Sequence, residues 1–88
     1  MPVFSVVATS TPVEVEKKLN NTFPPSDIYK VDDKQWFVSS AMINTPKELC
    51  EKAAFSNGEG GTVIVVLFAS YFGFHNRGVW EWLTSKGL

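Results

Sequence analysis

Residues 11–19 read TPVEVEKKL and residues 45–53 read TPKELCEKA. Both begin Thr-Pro-x-Glu, and both follow an apolar run. In each, the threonine is placed to cap a helix, the proline suits the first helical position, and the glutamate three residues after the threonine completes a capping box. In the first copy Thr11 caps, and Val15, Leu19 and Phe23 then recur every fourth residue as one apolar stripe. Pro24-Pro25 ends that helix. In the second copy Thr45 caps, and Leu49, Cys50, Ala53 and Ala54 form the stripe. The small alanines predict close approach to a sheet.

The stretches between and around these helices read as strands. Val3–Ala8 places Phe4, Val6 and Ala8 on one face and Val3, Ser5 and Val7 on the other. Asp27–Val31 and Gln35–Ile43 form two further strands, joined at Asp32-Asp33-Lys34 by a hairpin turn. Trp36, Val38 and Met42 are their core candidates. The most apolar run, TVIVVLFAS at 62–70, reads as a central strand buried on both faces. Tyr71–Phe74 either extends it or leaves the sheet at Gly73. Asn76 is placed to cap a last short helix, Gly78–Ser85, that ends at Gly87. Ser56–Gly61 reads as a flexible turn.

The expected fold is therefore one α+β domain spanning residues 1–88. It is a ferredoxin-like β-α-β-β-α-β unit with a C-terminal helix or extra strand, and its helices lie on one face of an antiparallel sheet. Each half needs its own helix start, which accounts for the repeat. A helical solenoid needs more than two copies and no intervening strands. The second sheet face must be covered or wet, and aromatics of the third strand and the tail are the candidates to cover it.

Composition narrows the function. The chain has 88 residues and a net charge of -1, with eight basic residues scattered along it. They form no basic stripe, which argues against tight nonspecific nucleic-acid binding. An RNA-recognition motif needs alternating aromatics on its third strand beside a basic residue and glycine. Here Trp36 and Phe37 are adjacent and point to opposite faces. The longest apolar run has a strand's length, not a membrane span's. A single cysteine precludes an internal disulfide framework, and no charged leader precedes the first strand. A protein without a membrane span, in a reducing cytoplasmic compartment, is expected.

No residue cluster carries catalysis or implies a cofactor. Cys50 and the single histidine, His75, are far apart in sequence and form no ligand set. Cys50 reads as a packed thiol, and His75 as a solvated residue of a surface turn. Gly58-Glu59-Gly60-Gly61 precedes a strand, whereas a phosphate cradle follows a strand and opens a helix. Asp27, Asp32 and Asp33 lie close together but lack calcium-loop spacing.

With FSVVAT (4–9), KQWFVSS (34–40), TPKEL (45–49), TVIVVLFA (62–69) and WEWL (80–83), the chain resembles the small CRISPR-associated endonuclease-like proteins and their stand-alone relatives, which include virulence-associated protein D. The resemblance implies a ferredoxin-like homodimer. In the active nucleases of that group an aspartate at the end of the first strand, one from each subunit, holds a divalent metal. The matching position here is Thr9. A neutral hydroxyl is a poor sole anchor for Mg²⁺, so the departure implies a non-catalytic relative.

Three functions follow as expectations. The first is a small, non-catalytic, homodimeric interaction module whose contact residues are drawn from Trp36, Phe72, Phe74, Trp80 and Trp82. Aromatics make up 14% of the chain, more than so small a core usually needs. The second is a metal-dependent nuclease using Asp27, Asp32 or Asp33. The third is a mobile-element inhibitor or adaptor that binds a larger protein.

Overall fold

The computed structural model describes residues 2–55 and 61–88. Its elements are β1 (Val3–Ala8), α1 (Pro12–Thr22), a 3₁₀ turn (Pro25–Asp27), β2 (Ile28–Asp32), β3 (Gln35–Val38), α2 (Pro46–Lys52), β4 (Val63–Phe68) and α3 (Arg77–Ser85). The strands form a four-stranded sheet in the order β2-β3-β1-β4. Every neighbouring pair is antiparallel. The protein is thus a small α+β fold.

Strand alternation sorts the side chains. Val6 lies opposite Trp36 on one side and Val65 on the other, and Phe4 opposite Val38 and Leu67. Phe4, Val6, Ala8, Trp36 and Val38 share one face and pack against Val15 and Leu19 of α1 and Leu49 of α2. Both crossover helices therefore cover the same face. The second face carries Val3, on which Val79 and Leu83 of α3 pack, with Tyr29, Phe37, Phe68 and Trp82 around them. Of the aromatics expected to cover this face, Phe37 of the third strand and Trp80 and Trp82 of the tail do so, while Trp36 lies on the opposite face and Phe72 and Phe74 are exposed.

One expectation fails at the sheet's margin. The 62–70 run reads as a central strand, yet β4 is an edge strand with β1 as its neighbour. The cause is topological. The connection through α1 carries the chain from β1 past β3 to β2, and that through α2 carries it from β3 past β1 to β4. The first strand is thereby enclosed and the last is left outside. Ile64, Val66 and Leu67 are accordingly 59%, 47% and 50% exposed.

The strand expected over Gln35–Ile43 is also shorter than its sequence suggests, whereas that expected at Asp27–Val31 keeps its length one residue later. β3 ends at Val38, where Ser39 Oγ donates to the Pro2 carbonyl (2.9 Å) and Ser40 Oγ accepts from the Met42 N–H (3.1 Å). Such local serine bonds compete with a ladder and turn the chain away. Met42, a predicted core residue, is exposed, and Ile43 is buried in its place.

The two helix starts differ in structure. At the second, Thr45 Oγ1 accepts from the Glu48 N–H at 3.1 Å. Glu48 Oε1 accepts from the Asn44 N–H at 3.0 Å, one residue before the position a capping box requires. At the first, Thr11 has φ 41° and ψ 59°, and its side chain caps nothing. An N-cap needs extended backbone, which Thr11 lacks, and Gly61 leaves the room that the Thr11 side chain takes instead. Gly61 sits at φ +101°, and a Cβ there would collide with Thr11 Oγ1. The Thr11 side chain is turned toward the start of β4 rather than toward its own helix.

α3 is built as its sequence predicts. Asn76 Oδ1 accepts from the Val79 N–H (3.3 Å). At the other end Gly87 lies at φ +92°, its N–H reaching the Thr84 carbonyl and the Leu88 N–H reaching that of Leu83. These two bonds make a Schellman closure. Lys86 pairs with Asp27 at 3.6 Å and lies over the Trp82 ring, which fastens the helix to the 3₁₀ turn.

Candidate functional site

α3 covers only part of the second sheet face, the part around Val3, Phe37 and Phe68. Beyond it lie Ser5, Val7, Gln35, Ile64 and Val66, which the register places side by side: Ser5 opposite Val66, Val7 opposite Ile64 and Gln35. Val7, Ile64 and Val66 are exposed. A hollow of about 250 Å³ opens there between Ser5, Gln35, Phe37, Val66, Phe68 and Phe72. Its polar groups include Gln35 Nε2, which donates to Ser5 Oγ at 2.9 Å. With apolar walls and neutral polar groups, the hollow suits an apolar side chain rather than acid–base chemistry.

The segment after β4 forms the rim. Phe68 meets Phe37 at 5.3 Å between ring centroids and Tyr71 edge-on at 6.4 Å. Tyr71 stacks on Trp80 with centroids 5.6 Å apart and planes 5° from parallel. Phe72 and Phe74 are fully exposed. The chain thus leaves the sheet after Phe68, held by Tyr71, and presents two bare phenyl rings, of which Phe72 stands beside the uncovered strand.

The five residues expected at a contact surface occupy three environments. Trp36 is 1% exposed, in the core between the sheet and α1. It lies beyond the reach of a partner. Its Nε1–H donates to Glu16 Oε2 (3.1 Å), which also pairs with Lys30 Nζ (3.0 Å). Bonding to Lys30 first, and to Trp36 second, holds the Glu16 carboxyl below the usual carboxylate range. Trp80 and Trp82 are half-buried on α3, Trp82 against Phe37 and Tyr29. Phe72 and Phe74 stand free. The surface also includes Val7, Ile64 and Val66, which sequence reasoning assigns to strands without marking them as exposed; Leu67, opposite Phe4, is exposed on the other face. The signal lies in the position of β4 after the second crossover.

The groups that a nuclease reading needs are engaged elsewhere. Asp27 pairs with Lys86, Asp33 lies 3.9 Å from Lys30, and Asp32 Oδ1 accepts from the Lys34 N–H at 2.8 Å in the hairpin turn. Among the described residues, no three His, Cys, Asp or Glu side chains converge. Thr9 follows β1, and its hydroxyl is 2.6 Å from Thr62 Oγ1 and 3.1 Å from the Thr62 carbonyl. Ser10 Oγ accepts from both the Thr62 N–H and its hydroxyl. This hydroxyl cluster fastens the end of β1 to the start of β4.

Cys50 is half-buried, and burial pushes its thiol up, away from the reactive thiolate. His75 is exposed, and its Nδ1 accepts from the neighbouring Asn76 N–H. The expected turn at Ser56–Gly61, Gly61 apart, lies outside the described residues. Among the described residues no helix is long and apolar enough to cross a membrane. The chain matches no protein-family profile, no curated protein and no solved structure.

Proposed function

We propose that this chain is a non-catalytic, homodimeric interaction module on a ferredoxin-like sheet, with β4 and the Tyr71–Phe74 segment as its contact surface. The strand order β2-β3-β1-β4, antiparallel throughout, supports the split β-α-β reading. So do two crossover helices on one face. In the resembled endonuclease-like group, the chain takes the place of a relative without the metal-holding carboxylate, since Thr9 stands at that position.

The observation that carries the reading is the exposed apolar row on one sheet face, Val7, Ile64 and Val66, with Phe72 sharing the hollow beside Val66 and Phe74 bare in the same segment. Bare rings beside an exposed apolar strand are the mark of an interaction surface. Four such rings, two from each copy, would bring about 600–1,000 Å² to an interface. A specific interface needs roughly 1,200 Å², which the strands themselves can complete.

Light scattering of the wild-type chain beside a Phe72→Ser/Phe74→Ser double variant tests this. The wild type is expected to associate at micromolar concentration, and the double variant to dissociate at concentrations at least tenfold higher. Equal association of the two would remove the aromatic segment from the interface.

A further inference from the structure

The two edges of the sheet are built differently. β2, at one edge, carries Lys30 and Asp32, and its pairing with β3 shifts register between those residues. Charges and bulges of this kind block the approach of another strand. β4, at the other edge, is VIVVLF. It has no charge and no proline, and it pairs with β1 in unbroken register from Val63 to Phe68. One edge is protected and the other is open.

We infer that β4 pairs antiparallel with β4 of a second copy of this chain, joining two four-stranded sheets into one of eight strands. This rests on the homodimer reading above and specifies its geometry. A second copy fits the edge because the strand is complementary to itself. A two-fold axis perpendicular to the sheet makes the strands antiparallel and keeps each face continuous. Residues directly opposite must then share a face, so odd numbers meet odd and even meet even. One residue meets its own copy on the axis. The greatest overlap this parity allows, five of the six residues of the strand, puts either Val65 or Val66 there.

In the first case Ile64 lies opposite the partner's Val66, and in the second Val66 lies opposite the partner's Val66. Either way the exposed row on the uncovered face meets the same row of the other copy. The strand is uncharged, so no like charges are opposed. The outward backbone N–H and C=O groups of β4 gain partners along the whole strand. Phe72, which shares a hollow with Val66, is carried to the junction, where it can lie over the partner's Ile64.

Position 66 gives the test. In both registers the two copies of residue 66 lie within about 5–8 Å of each other on the same face. Val66→Lys and Val66→Glu are each expected to be monomeric, and an equimolar mixture to form a one-to-one heterodimer by native mass spectrometry. Circular dichroism checks that each variant is folded. Val66 is 47% exposed, so its replacement opens no core cavity. Wild-type amide exchange is the second readout, independent of any variant. With the edge paired, the outward, alternate β4 amides slow as concentration rises. With it open, alternate amides stay fast at every concentration.

A dimeric wild type whose Val66→Lys variant dimerises equally well, or whose alternate β4 amides stay fast, overturns edge pairing and leaves the homodimer standing. A wild type that is monomeric throughout overturns both.

Discussion

The indole N–H of Trp36 donates to Glu16 Oε2 at 3.1 Å, joining the core of the sheet to the outer side of α1. Glu16 takes Lys30 on the same oxygen at 3.0 Å, so one carboxylate anchors a buried ring and a strand cation together. Removing it leaves a nearly buried N–H without its acceptor. Glu16→Ala is expected to lower stability by about 1–2 kcal/mol, measured by urea unfolding. An unchanged midpoint would show that water replaces the carboxylate at no cost.

The same group sets a pH dependence. Its carboxyl is held below the ordinary value of 4.5 by Lys30 and Trp36. A depressed folded pKa means that the unfolded chain binds the proton more readily. The contribution is therefore complete above about 4.5 and is lost as pH falls through the lower folded value. Glu16→Gln is expected to unfold with a flatter loss of stability below pH 4.5 than the wild type. Parallel curves for the two proteins would assign the acid sensitivity to other carboxylates.

The two Thr-Pro-x-Glu starts are expected to respond unequally. Thr45→Ala removes a cap that is formed and is expected to cost about 1 kcal/mol. Thr11→Ala removes no cap and is expected to change stability by less than about 0.5 kcal/mol. Equal losses in thermal unfolding would show that the Thr11 hydroxyl stabilises through its contact with Gly61.

Gly61 is the most constrained glycine at the junction of β1, α1 and β4. Gly61→Ala combines a left-handed backbone with a collision against Thr11 Oγ1, and is expected to cost about 1–3 kcal/mol. Adding Thr11→Gly relieves the collision and leaves the backbone term, so the double variant is expected to regain part of the loss. No recovery would place the whole cost in the backbone.

Phe72 and Phe74 are expected to be silent in the monomer. Both rings are fully exposed, so replacing either by serine should shift monomer stability by less than about 0.5 kcal/mol. Leu83, on the buried side of α3 against the sheet, is the contrast: Leu83→Ala should cost about 2–5 kcal/mol. A large monomer loss at Phe72 would make that ring part of the core.

Local signals make most elements legible. The Val15, Leu19 and Phe23 stripe, the Asn76 cap and the Gly87 stop are readable because each depends on residues within a turn or two. Strand alternation places Val3 and Phe4 on opposite faces for the same reason. What depends on distant partners is not readable. Thr11 Oγ1 occupies space left by Gly61, fifty positions away in sequence (61 minus 11). Alternation sends Trp36 and Phe37 to opposite faces, but which of them lies beneath α1 and which meets α3 is set by where those helices pack. The apolar run at 62–70 signals burial on both faces, but connection order places β4 at the edge. That mismatch between composition and position is the observation from which the dimer reading grows.

Sedimentation equilibrium of the wild-type chain over a wide concentration range tests that reading most directly. A mass of twice the 9.8 kDa chain is expected at micromolar concentration and above, falling toward 9.8 kDa on dilution. A mass of 9.8 kDa at every concentration would contradict it.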